Sequence, residues 1–244
     1  MLIKNILKFT LLLLALVYIS LDVFGYYFEA ETVRLSTLVL LCILYYQFTV
    51  HKSMLFLWFL IADIIGYLFF YCQWFDGIVH VTNNTYLNYF STGIYIISYS
   101  LLILYIISKL NFKHVFKHLF LPVLILLALD VFCITLLSDI SVDESYSTYN
   151  VIQEYMYYTV VMVLLSVALI NYMYRSDKKS MLILIGCICF FFMEIVVVAL
   201  YFTQKSINLE FLSTSLTIIA YALIYLQSQI EYTGPEPDII ELYQ

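Results

Sequence analysis

Asp63, Asp130 and Glu194 each interrupt a long apolar run. In lipid, an acid at mid-depth of a helix costs about 2.5–3.5 kcal/mol on insertion scales, so it faces the bundle interior and is by default a candidate functional group. Asp22 and Glu154 lie nearer the ends of such runs, where they can reach the interface. Carboxyls gathered out of water suit two kinds of chemistry. One protonated beside one ionised group is the arrangement for general acid catalysis, the first donating a proton and the second stabilising positive charge or activating water. The same groups suit a proton- or cation-coupled transporter. The plainer alternative is protonated acids bonded to Tyr or Ser of neighbouring helices, serving helix packing.

The elements that position them follow from composition. Of 244 residues, 64% are hydrophobic and 11% charged, against ~45–50% and ~25% in a soluble domain, which leaves too little polar surface for a water-facing shell. The solvent is lipid, and lipid admits only helices or a closed barrel. Unbroken apolar runs exclude the alternation of a barrel, so the expected fold is all-α, a polytopic membrane helix bundle. A net charge of −6 with no basic stripe excludes nucleic acid as a partner. The five cysteines all fall in apolar runs and read as small buried hydrophobes.

Runs of suitable length predict about eight spans, at 5–26, 34–50, 54–75, 88–108, 119–137, 151–174, 181–202 and 211–228, the second being short and opened by Arg34. Residues 1–230 form one transmembrane domain in this reading, and 231–244 a short acidic cytoplasmic tail. Lys4, Lys8, Lys52, Lys109, Lys113, Lys117, Arg175, Lys178 and Lys179 flank one side, and only Arg34 and Lys205 the other. That bias orients the chain N-in and C-in.

Helices 3, 5 and 7 run in the same direction. At ~1.5 Å per residue, Asp63 lies ~14 Å past Met54, Asp130 ~17 Å past Leu119 and Glu194 ~20 Å past Met181, which places the three in one slab ~6 Å thick. With no Lys, Arg or His expected at that depth, either at least one acid is protonated at neutral pH or a cation is bound. Thr214, Thr217, Tyr221, Tyr225 and Ser228 share one face of helix 8, and Ser91, Tyr95, Ser98 and Tyr105 form a weaker stripe on helix 4. Such hydroxyls serve either as a cavity wall or as interhelical glue. His114 and His118, an i, i+4 pair beside Lys113 and Lys117, lack an acid to complete a metal set and read as basic surface toward anionic lipid. His80 is a lone loop histidine, and Asn83-Asn84-Thr85 matches a glycosylation acceptor that matters only in a eukaryotic secretory pathway. Asp22-Val-Phe-Gly-Tyr and Asp63-Ile-Ile-Gly-Tyr share a pattern that hints at a duplicated helix unit.

At helices 3 and 7 the chain resembles the lysoplasmalogenase (YhhN) family of eight-helix membrane proteins. Phe56-Leu-Trp-Phe-Leu-Ile-Ala-Asp63-Ile-Ile-Gly looks like that family's Leu-rich run ending in Gly-Asp, with Ala62 for the Gly. Gly186-Cys-Ile-Cys-Phe190-Phe-Phe-Met193-Glu194 is similar to its Gly-Ala-x-Leu-Phe-x-x-Ser-Asp, with Met193 for Ser and Glu194 for Asp. The family's Lys-Pro at the start of helix 2 stands here as Arg34-Leu35, and its Ala-His in helix 4 has no counterpart near Ser98 to Ser100. The resemblance implies hydrolysis of the vinyl ether of a lysoplasmalogen to a fatty aldehyde and a glycerophospho head group, with no metal or cofactor and a membrane lipid as the partner. Asp63 and Glu194 would share the catalytic roles, with Asp130, Tyr67, Phe190, Thr217 and Tyr221 lining the substrate. Two other readings stand beside it: a catalytically silent lipid-binding or sensory relative, and a coupled transporter. The transporter should show Gly- or Pro-broken helices at mid-depth. Pro122, in the first turn of helix 5, is no such break.

Overall fold

The computed structural model describes residues 2–72, 85–141, 148–202 and 207–232. His80, Asn83, Asn84, Lys205, the tail from 233 onward and the side chains of Lys113 and His114 lie outside the described residues. Among those described, all regular structure is helical: α1 (Leu2–Val23), α2 (Tyr27–Phe48), α3 (Met54–Cys72), α4 (Thr85–Ile107), the short α5 (Phe112–His118), α6 (Phe120–Ser141), α7 (Thr148–Arg175), α8 (Lys178–Phe202) and α9 (Ile207–Ser228). Six of them, α3, α4, α6, α7, α8 and α9, are long and apolar enough to cross a membrane, so this is a multi-pass membrane protein.

Seven helices close a ring in which α1 meets α2, then α3, α4, α7, α8 and α9 follow, and α9 returns to α1. The eighth long helix, α6, stands outside the ring against α7, with a smaller contact to α8. The arrangement suits its side chains. Leu121, Leu124, Ile125, Val131 and Phe132 are exposed on α6, an apolar surface that lipid would cover, and few of its residues are buried.

The turns follow local chemistry. Gly25, at φ +81°, ends α1 in a Schellman arrangement, with Gly25 N–H on the Asp22 carbonyl and Tyr26 N–H on that of Leu21. Tyr45 clamps the α2–α3 turn, its hydroxyl donating to the Ser53 carbonyl (3.1 Å) and accepting from the Ser53 N–H (2.7 Å). Asp177 and Ser180 cap α8 reciprocally: Ser180 N–H donates to Asp177 Oδ1 at 2.8 Å, and Asp177 N–H to Ser180 Oγ at 3.2 Å.

Two expectations change. The shared Asp-x-x-Gly-Tyr pattern does two different jobs, since Gly25 ends a helix while Gly66 lies inside α3, where Ile94 and Tyr95 of α4 press on it and Ser91 donates to its carbonyl at 2.9 Å. The second helix begins at Tyr27 and not at Arg34, because nothing between Gly25 and Thr49 breaks a helix and Glu29 favours the first turn. Arg34 therefore lies seven residues along α2, about 10 Å from its start.

Candidate functional site

Asp63 is fully buried near the middle of α3. The hydroxyl of Tyr221, from α9, donates to its Oδ2 at 2.5 Å, and Ser98 Oγ, from α4, stands 3.5 Å from its Oδ1. Ser98 also donates to the Phe59 carbonyl at 3.2 Å, which ties α4 to the turn of α3 that precedes the acid. Glu194 of α8 is 7% exposed and accepts from Tyr157 of α7 at 2.5 Å. Each carboxylate thus has one short bond from a phenol on a neighbouring helix.

An aromatic chain runs between the two acids. Tyr221 meets Phe190 edge-on (centroids 5.2 Å), Phe190 meets Tyr99 (5.7 Å), and Tyr99 meets Tyr157 (6.1 Å). The tyrosines bonded to the two acids are thus joined by ring contacts through Phe190 of α8 and Tyr99 of α4, inside the ring. Phe190 reaches these tyrosines because Gly186, one turn earlier on α8, lets α9 approach closely: a Cβ there would stand 2.9 Å from two side-chain carbons of Ile224.

The expectation of acids with no base at their level is corrected by Arg34. Its guanidinium lies over the ring of Tyr67 (4.5 Å to the centroid), one helical turn beyond Asp63 on α3, and Arg34 lines the same cavity as Tyr221, which bonds Asp63. A start at Arg34 for the second helix puts this side chain at an interface; the start at Tyr27 carries it into the bundle. The signal was the uninterrupted stretch Phe28 to Leu35 with Glu31 and Arg34 three apart, a helical spacing.

Asp130 is a second correction. It is buried, but on α6 outside the ring, where Ser166 of α7 donates to its carboxylate at 2.8 Å, so it serves the α6–α7 contact and does not join Asp63 and Glu194. Tyr67 carries Arg34 on its face and donates to the Glu31 carbonyl at 3.4 Å. Thr217 lines a cavity of about 30 Å³ between α1, α2 and α9, together with Arg34, Tyr18, Thr37 and Tyr221. The α9 stripe is buried throughout but divides its work: Tyr221 serves Asp63, Thr214 bonds Asp22, Thr217 bonds its own helix backbone, and Ser228 donates to the Tyr225 carbonyl. Tyr157 and Tyr99 have no individual mark in a chain with 24 tyrosines.

No family model, curated protein or solved structure matches the chain. The site therefore stands on its own geometry. Among the described residues, no group of three or more His, Cys, Asp or Glu side chains is placed to hold a metal ion. What the arrangement offers is two carboxyls, each hydrogen-bonded by a phenol, one cation, and aromatic faces between them. That set can donate a proton, shelter a developing positive charge against a carboxylate and ring faces, and receive an apolar chain.

Proposed function

We propose that the chain is a membrane hydrolase of the lysoplasmalogenase type, in which Asp63 and Glu194 cleave the vinyl ether of a single-chain ether lipid. One observation carries this reading: two buried carboxyls from α3 and α8 are each bonded by a tyrosine, and ring contacts through Phe190 and Tyr99 join those two tyrosines inside the helix ring. One carboxyl protonates the vinyl carbon remote from the ether oxygen, the one that bears the alkyl chain. The cation that forms on the ether-bearing carbon is held by the other carboxylate, which then takes a proton from the water that attacks there. The hemiacetal so formed collapses to a fatty aldehyde and the free glycerol hydroxyl. In this reading the chain crosses a bacterial cytoplasmic membrane about eight times, both ends in the cytoplasm. Lys52, Lys109, Arg175 and Lys179 support that orientation, since bonds from Arg175 to the Lys109 carbonyl, from Tyr105 to Gln227 and from Gln229 to Thr49 join the ends of the helices that bear or adjoin them.

The test is aldehyde release from lysoplasmalogen by the purified protein in micelles. Asp63→Asn and Glu194→Gln should each lower the rate by about 10²-fold or more. A silent lipid-binding relative is the second reading, favoured by the small cavity and by Met193 where the family carries Ser. No aldehyde from the wild type at any pH between 5 and 9 (about the stable range of most folds) would select it. A coupled transporter is less well supported, since α3 and α8 run unbroken through Asp63 and Glu194.

A further inference from the structure

A guanidinium presents five N–H donors and is never neutral in a protein. Arg34 spends none of them on the described residues: it makes no hydrogen bond and no ion pair there, and its Nε is buried without a partner. Candidate counter-ions are near but turned elsewhere. Asp63 is bonded to Tyr221 and Ser98, Glu194 to Tyr157, and Asp22 to Thr214. Glu31, three residues earlier on α2, also keeps an unbonded buried oxygen, so the ion pair its spacing permits is not formed. The guanidinium instead borders the cavity between α1, α2 and α9. At about 30 Å³, that cavity has room for about two water-sized groups. Arg34 is among its lining residues, and its walls, such as Leu11, Leu38 and Ile218, are almost wholly apolar, the hydroxyls of Thr37, Thr217 and Tyr221 being spent on the Val33 carbonyl, the Ser213 carbonyl and Asp63.

From this we infer that Arg34 is an oxyanion-binding residue, and that the ligand is an amphiphile whose phosphate meets the guanidinium while its apolar part lies along α1 and α9. The inference deepens the hydrolase reading and rests on it for the fate of the ligand, since it names the head group that enters with the scissile chain; binding itself needs no hydrolysis. Phosphate suits Arg34 because a planar fork engages two oxygens at once, which a neutral glycerol head group cannot match.

The test compares binding to the purified protein of three probes: a single-chain lipid with a phosphate head group, a glycerol-headed lipid of the same chain, and inorganic phosphate. The wild type should prefer the phosphate lipid over the neutral one by about tenfold or more, and Arg34→Gln should erase the preference while Arg34→Lys keeps part of it. Inorganic phosphate should compete weakly. Competition by inorganic phosphate as strong as that of the lipid would overturn the amphiphile and leave a free phosphate site. Equal binding of the two lipids by the wild type would overturn the oxyanion site without need of any variant. Preference without aldehyde release would end the hydrolase reading and leave this one standing; aldehyde release with equal binding of the two lipids would do the reverse.

Discussion

Tyr221 of α9 holds Asp63 of α3 through a 2.5 Å hydrogen bond, although α3 and α9 stand on different sides of α2 in the order of the ring. The bond thus crosses the interior, and its loss should be felt at the acid before it is felt in the fold. A hydrogen bond to a charged group contributes about 1.5–3 kcal/mol. Tyr221→Phe should slow aldehyde release by about 10- to 100-fold, and Asp63→Asn by more, with thermal unfolding in detergent shifted only a few degrees. Equal rates for Tyr221→Phe and wild type would remove Tyr221 from the site.

Glu194 and Tyr157 make the matching pair on the other side. Shortening the acid by one methylene draws its carboxylate away from the phenol, so Glu194→Asp should lose most of the rate that Tyr157→Phe loses, and the double variant little more. Such non-additivity marks two groups acting as a unit. A double variant as slow as the product of the two single effects would make them independent.

Much of this fold is legible in the chain because lipid leaves a backbone few choices. The runs that become α3, α4, α6, α7, α8 and α9 are apolar across a span's length, and their ends move by only a few residues. Arg34 shows where such reading stops. A search for apolar runs trims polar residues from helix ends, so a helix that carries its charge inward is read short at that end. Asp130 and Asp63 look alike as acids in apolar runs, and only the packing of α6 outside the ring separates them. Glu194 finds its partner among 24 tyrosines through the pairing of α7 with α8, a long-range fact with no local mark.

Gly186 tests the packing that seats Phe190. A methyl group there would stand 2.9 Å from Cγ1 and Cδ1 of Ile224, well inside contact distance. Gly186→Ala should destabilise the protein by about 1–3 kcal/mol. Ile224→Ala, which alone leaves a cavity, should recover part of that loss when combined with it. Melting temperatures of the four variants in one detergent form the cycle, and purely additive losses would mean that the two residues do not meet.

Tyr232, just beyond α9, offers a test away from the lipid. Its ring lies 4.1 Å from the Arg175 guanidinium carbon and 4.7 Å from Lys179 Nζ, closing the end of the bundle where α7 turns into α8. Burial pushes its phenol from 10.0 up to about 12, with Arg175 opposing. A raised folded pKa means that the neutral phenol is the form the fold favours. The stability it confers is therefore fully present below pH ~10 and is lost as the pH rises through ~12. The melting temperature should fall more steeply across that window in the wild type than in Tyr232→Phe, which keeps the ring over Arg175 and removes only the ionising hydroxyl. Parallel curves for the two proteins would show that the hydroxyl is solvated in the folded state.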